Sequence, residues 1–431
     1  MQQEAVAAGL AREETRHLGA RGVAAAVVGN VLEFFDFTSY SFFAVMIGRA
    51  FFPAESEITS LLLSLSAFGA GFITRPLGGI MIGAYADRVG RKPAMLLTIA
   101  LMAVGMFIIT VTPSYAVIGP AAPALVVFAR LVQGFALGGE VGPATTYLLE
   151  AAPADRKALF ASWQLASQGI SVICSGLLGV TLSSLLSQTE MQEWGWRVPF
   201  VIGLAIIPVG LLIRRSLPDD VEVPVHPTTS AVLSELVLGH PRTLILAILV
   251  ITATTIAIYV GNYMTSYALT TLKMDATVSF LATLTIGIGR VVASLLGGHL
   301  ADRVGRKPIM IVSQIALAAA AYPAFLLLSS RKTMAALIIA SATLSVLTSL
   351  GGAVGLTLIP ESFPVSVRSA GLSIAYATAV TVFGGTAQVV VTWLIVATGN
   401  PLSPAWYLIA SSVVGVGAII LMHETGKRRA T

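Results

Sequence analysis

Charge is what this sequence has least of. Asp, Glu, Lys and Arg make up 11% of 431 residues, against roughly 25% in an ordinary soluble domain. With 56% hydrophobic residues and a mean hydropathy of +0.86, most of the chain is not built to face water. Cysteine is nearly absent: Cys174 stands alone, which excludes an internal disulfide. The five histidines (His17, His226, His240, His299 and His423) are scattered without metal-ligand spacing, and there is no HExxH or Cys–His set. That removes the metal and nucleophile–base clusters of a membrane-embedded enzyme. The paired glycines do not sit in the strand–turn–helix setting that cradles phosphate, so no ATP site and no cofactor are expected. The first 22 residues are polar and the first apolar run is full length, so no cleavable signal is expected.

What the chain does have is apolar runs of about 20 residues, enough to cross a bilayer, along its whole length. Backbone groups in lipid must be satisfied within the segment, and barrel-type alternation is missing, so the runs read as helices. Twelve spans are expected at 23–47, 59–84, 94–112, 121–150, 158–186, 196–216, 242–270, 277–299, 309–329, 333–360, 366–397 and 403–423. An even number puts both termini on one side. Lys and Arg divide 18 to 5 between the two sets of loops, which makes the terminal side cytosolic. The +5 net charge and pI near 9.4 then belong to loops facing anionic lipid in the inner membrane, and nucleic acid is not a partner.

The chain repeats itself. ADRVGRKP occurs at Ala86–Pro93 and again, letter for letter, at Ala301–Pro308, 215 positions on. A weaker echo links LLEAAPADRKA at 148–158 to IPESFPVSVRSA at 359–370, each with a Glu ending one span and an Arg starting the next: Glu150 with Arg156, Glu361 with Arg368. The polar stretch around 217–241 separates the copies. The expected layout is a tail at 1–22, a six-helix bundle at 23–216, a cytosolic linker at 217–241, a second six-helix bundle at 242–423 and a tail at 424–431. That is an all-α membrane protein of two pseudo-symmetric bundles, as in transporters built from parallel repeats.

The loop GxxADRVGRKP, present twice, resembles the signature loop of the major facilitator superfamily. GNVLEFFDFTSY, RPLGG, RLVQGFALGGE, SWQLASQ and WGWRVPF resemble the metabolite–proton symporters within it. FGGTAQVVVTWLIVATGNPLSPAWYL is similar to the citrate–proton and tricarballylate symporters. The resemblance implies alternating access by a monomer. It also implies a cytosolic latch in which Asp87 and Asp302 pair with arginines and with the neighbouring half while the protein is open outward. Arg88, Arg91, Arg303 and Arg306 belong to that latch, together with the two Glu–Arg echoes.

Six charges fall inside spans: Glu33, Asp36, Arg75, Arg130, Glu140 and Arg290. Each costs about 2.5–3.5 kcal/mol to insert, and such residues mark pathways. Arg75 and Arg290 share the 215-residue offset and both precede the loop Asp by 12 positions, about 18 Å of helix. They would face one cavity from opposite bundles and grip a small polycarboxylate such as citrate or tricarballylate. Arg130 either adds a third contact or pairs with Asp36, which lies at a matching depth. Asp36 is the expected proton carrier, with Glu33 and Glu140 in reserve. Asn30, Tyr40, Gln133, Gln164, Gln168, Tyr259, Asn262, Tyr263, Tyr376 and Gln388 would complete the cavity or bond helix to helix. The expected function is import of a di- or tricarboxylate with protons. α-Ketoglutarate, shikimate or a betaine-like osmolyte is the alternative cargo.

Overall fold

A computed structural model describes residues 20–89, 91–138, 145, 148–149, 152–215 and 235–426. Among them the chain is helical and carries no strand. The helices are α1 (Ala20–Phe42), α2 (Ala44–Phe51), α3 (Glu57–Ile73), α4 (Arg75–Val89), α5 (Arg91–Val111), α6 (Ala121–Leu137), α7 (Lys157–Leu185) and α8 (Val198–Arg215). They continue as α9 (Pro241–Thr270), α10 (Ala276–Val304), α11 (Arg306–Arg331), α12 (Met334–Glu361), α13 (Arg368–Ala379), α14 (Gly385–Thr398) and α15 (Ser403–Leu421). Eight stretches of the described residues are long and apolar enough to cross a membrane, and the pair α1–α2, bent by 66° at Phe43, would make a ninth. Leu96–Val111 and Ala121–Leu137 are shorter apolar helices.

Two of the expected spans carry local detail that the sequence does not show. In the expected span 121–150 the helix runs to Leu137, Gly138 is a turn and residues 145, 148 and 149 are helical, with Glu140 and Glu150 outside the described residues. Span 366–397 carries a π-helical turn, Val380–Gly384, ahead of the Gly385 that starts α14. Helix starts follow ordinary capping. Ser56 accepts the Thr59 N–H (3.1 Å), and Asp275 and Thr333 cap α10 and α12. Gly305, in the second octapeptide, has φ +114°, a conformation only glycine takes freely, and it turns α10 into α11.

Helices before residue 216 meet those after 235 along two seams built on small residues. In the first, α7 lies against α10. A Cβ on Gly176 would fall 2.7 Å from the backbone N of Leu284, and one on Gly287 2.7 Å from that of Ile173. In the second, α3 lies against α14, where a Cβ on Gly69 would meet the Gly385 carbonyl oxygen at 2.5 Å. Small residues let backbones approach in lipid, where burial of apolar surface gives helices no reason to associate. Cross-seam bonds add register: Gln388 Nε2 donates to Ser41 Oγ at 2.7 Å and Thr381 Oγ1 to the Phe72 carbonyl at 3.2 Å.

The second octapeptide, with Arg303, Arg306 and Lys307, ends α10 beside Glu361 and the start of α7, and this end of the molecule is its basic face. At the opposite face the rings of Phe43 and Phe280 meet at 4.8 Å, and Glu57 joins Arg49 (2.6 Å) to Lys273 (2.9 Å). Phe43–Phe280 and Glu57–Lys273 join the two halves of the chain there.

Candidate functional site

A cavity of about 640 Å³, counting its open side, lies between α1, α7, α9, α12 and α13, in the part of the molecule nearer the basic face. Its walls include Phe34, Gln164, Gln168, Thr254, Thr255, Ile258, Tyr259 and Tyr376, and none of the lining residues is charged. The polar lining is anchored from behind. Asn30 donates to the Gln164 carbonyl (3.1 Å) and to Ser167, and Gln164 Nε2 returns a bond to Asn30 Oδ1 (3.1 Å). The register of α1 on α7 is thereby fixed.

The charges stand one layer deeper. Arg75, at the first turn of α4, is 6% exposed and its guanidinium lies over the rings of Phe72 (4.2 Å) and Phe37 (4.8 Å). Those rings pack edge-on against Tyr259, at 5.8 and 6.5 Å, and Tyr259 is part of the cavity wall. Arg290, 3% exposed on α10, donates to Asn262 Oδ1 at 2.9 Å. Tyr259 and Tyr376 lie within electrostatic range of both arginines. Among the described residues neither arginine has a carboxylate at ion-pair distance, and Arg75 Nε and Nη2 and Arg290 Nε have no hydrogen-bond partner. Buried guanidinium N–H groups without acceptors are costly.

Asp36 and Arg130 form the second charged group. Arg130 Nη1 is 3.5 Å from Asp36 Oδ2, and Gln133 bridges them by accepting from Arg130 (2.7 Å) and donating to Asp36 Oδ2 (2.6 Å). Tyr40, Phe37 and Phe68 wall the Arg130 guanidinium at 4.6, 5.0 and 5.1 Å. Asp36 Oδ1 is buried with no bond. Of the two positions that the sequence leaves open for Arg130, the structure has it beside Asp36 and off the cavity wall. Tyr40 donates to the Ser64 carbonyl at 3.3 Å and also lies off the wall. Glu33 is half-buried on α1 and is already engaged.

At the basic face, Asp302 reaches across the seam. Its two oxygens accept the backbone N–H groups of Ala158 and Leu159, both at 2.9 Å, and so cap the start of α7 from another helix. Arg306 ties Asp302 (3.5 Å) to Glu361 (3.3 Å). Arg368 donates to the Pro360 carbonyl (3.0 Å), Arg303 is exposed, and Arg156 meets Asp155 at the surface (3.6 Å), its expected partner Glu150 lying outside the described residues. For Asp87, Arg88 and Arg91 the structure describes the helical backbone alone. An acidic cap at a helix N-terminus is worth about 0.5–2 kcal/mol. Asp302→Ala is therefore expected to shift the balance between closed and open basic faces about 2- to 30-fold. Labelling of a cysteine placed beside Ala158 should speed up, with protein abundance unchanged. Unaltered labelling would mean that the cap does not hold the face shut.

The sequence reading missed three contributors. Phe37, Phe68 and Phe72 are the walls of both charged groups, and an acid flanked by aromatics in FFDF was the available signal. Glu424 accepts from the N–H groups of Arg306 (3.0 Å) and Lys307 (2.9 Å), and Thr425 donates to Glu361 (2.6 Å). Glu57–Lys273 joins residues 216 apart, and no local pattern announces it.

Long apolar helices, backbone-tight seams and a cavity backed by buried charge define a multi-pass membrane protein of the transporter type. Residues 26–290 match the family model of the Major Facilitator Superfamily, and 225–429 that of Sugar (and other) transporter. The chain belongs to the Major Facilitator Superfamily. It is 34% identical to the citrate-proton symporter of Salmonella typhi (91% of this chain, 92% of that one) and 35% identical to that of Klebsiella pneumoniae (92% and 90%). The alpha-ketoglutarate permease of Escherichia coli (strain K12) is 33% identical, covering 93% and 92%, and a proline/betaine transporter of the same strain 31%, covering 95% and 84%. The crystal structure of a D-xylose-proton symporter superposes with a TM-score of 0.76 over 94% of this chain and 98% of that one, at 18% identity, a likeness of fold.

Proposed function

We propose that this protein is a secondary transporter, not an enzyme, that carries a small carboxylate with protons across the inner membrane. Citrate or tricarballylate is the first candidate. Twelve spans form two bundles, 23–216 and 242–423, joined by a cytosolic linker at 217–241, with the basic face and both termini in the cytosol. The single observation that carries the reading is the pair of buried arginines, Arg75 and Arg290, without carboxylate partners among the described residues and set behind the two tyrosines that line a neutral cavity. The symporters named above for citrate support the choice of cargo.

Coupling follows from the charges. Arg75, Arg130 and Asp36 together carry one net positive charge in a buried site. An anion at Arg75 offsets it, so adding a proton to Asp36 then costs less than it would in the empty site. By linkage the proton favours the anion by the same factor. Anion and proton thus load together. A rocking motion that opens one face while closing the other completes the cycle.

A second reading rests on the cavity walls. Uncharged and lined by Phe34, Tyr259 and Tyr376, they would also accept the quaternary ammonium end of a betaine against aromatic faces, with its carboxylate on an arginine. Uptake of radiolabelled citrate into proteoliposomes under an inward proton gradient separates the two. Accumulation that tricarballylate blocks and betaine does not is the expected result. Betaine-sensitive or α-ketoglutarate-sensitive transport without citrate uptake would move the cargo.

A further inference from the structure

Phe37 follows Asp36 in the chain, is 4% exposed, and is, among the described residues, the one ring shared by both charged groups: the Arg75 guanidinium lies 4.8 Å from its centroid and that of Arg130 5.0 Å. The two positive charges are therefore held within about 10 Å of each other by one side chain. The ring also packs on Phe68 (4.5 Å) and Phe72 (5.0 Å), and it touches Tyr259 at the cavity wall (6.5 Å). Arg75, Phe37 and Arg130 are all buried, at 6%, 4% and 1% exposure. Between buried groups a charge change at one is felt more strongly at the other than it would be across bulk water.

We propose that Phe37 is the positioning residue that links anion binding to proton uptake: its ring fixes the separation of Arg75 from the Asp36–Arg130 pair and excludes water from the space between them. The ring makes no bond to cargo or proton. It sets how much of the anion's charge reaches Asp36. This rests on the reading that Arg75 meets the anion and Asp36 the proton. Leucine at this position keeps apolar bulk but has no π-face to hold two cations, whereas tyrosine keeps the ring.

The test compares Phe37→Leu and Phe37→Tyr with the wild type in proteoliposomes. Two quantities are read for each. One is counterflow exchange of radiolabelled citrate without a gradient, or of α-ketoglutarate or betaine if the wild type moves those instead. The other is accumulation under a one-unit pH gradient. Phe37→Leu is expected to exchange within about threefold of wild type, lose at least fivefold in accumulation ratio, and show an exchange KM that no longer changes with pH. Phe37→Tyr is expected to keep both. Accumulation and pH dependence unchanged in Phe37→Leu would overturn the proposal. So would a parallel loss of exchange and accumulation, or failure of the tyrosine variant to rescue, since the ring would then be packing alone. Failure of the underlying reading shows elsewhere, as an unchanged exchange KM in Arg75→Gln.

Discussion

Asp36→Asn is expected to exchange cargo across the membrane but not to concentrate it. A one-unit proton gradient supplies about 1.4 kcal/mol per proton, or about tenfold accumulation. In the variant that ratio should fall to one. The reason lies in the geometry. Asp36 Oδ2 is held by Gln133, while Oδ1 is buried and unbonded, so a proton arriving on Oδ1 breaks no hydrogen bond. Asparagine has the shape of the protonated acid and can still accept from Gln133 through its carbonyl. It therefore holds the site in its proton-loaded form. Removing one partner of a buried ion pair generally costs about 3–5 kcal/mol. Here the variant only makes permanent a state that the working cycle visits, and Arg130 keeps Gln133 and the three aromatic faces. The protein should reach the membrane in normal amount. Because proton and anion favour each other, the wild-type exchange KM should fall as pH falls, for a cargo whose own ionisation is constant over the range. In Asp36→Asn that dependence should vanish. Gradient-driven accumulation retained in Asp36→Asn would move proton carriage to another acid, Glu33 first.

The duplication, the helical class and the membrane setting were legible in the sequence because each is carried by local composition or exact repetition. ADRVGRKP needs no structure to be seen twice, and the geometry of Gly305 and the reach of Asp302 give the second copy physical content. The depth count along the helices placed Asp36 and Arg130 at one level, and they stand 3.5 Å apart. Such a count cannot give the direction in which a side chain points. It therefore left open whether Arg130 faced cargo or Asp36, and it could not show that Arg75 and Arg290 stand behind Tyr259 and Tyr376 instead of forming the wall. Breaks were equally hidden. The 66° bend at Phe43 and the π-turn at Val380–Gly384 depend on what packs against the chain, with no proline at either point. The aromatic box around the arginines draws Phe37 from one helix, Phe68 and Phe72 from a second and Tyr259 from the far half of the chain. Only the fold assembles it.

Arg75→Gln and Arg290→Gln are expected to abolish carboxylate transport at micromolar cargo, but for unequal reasons. A hydrogen bond to a charged group contributes about 1.5–3 kcal/mol, which for one lost contact is a 10- to 150-fold rise in KM. Glutamine keeps a donor and bulk but not the charge or the fork. Arg290 already gives one N–H to Asn262. Arg290→Gln should therefore raise KM and leave that partner able to bond the amide, with maximal rate largely retained. Arg75 has no such partner among the described residues, and two aromatic faces hold it. Arg75→Gln removes the positive charge that makes proton and anion binding interdependent. It should raise KM and also flatten its pH dependence, which Arg290→Gln should leave in place. Lysine distinguishes charge from shape. If the guanidinium fork is what meets the carboxylate, Arg75→Lys should recover the pH dependence without recovering KM. Unchanged citrate KM in both glutamine variants would assign the two arginines to structure and return the cargo question to the neutral cavity wall, where Tyr376→Phe and Gln168→Ala would be the next variants to measure.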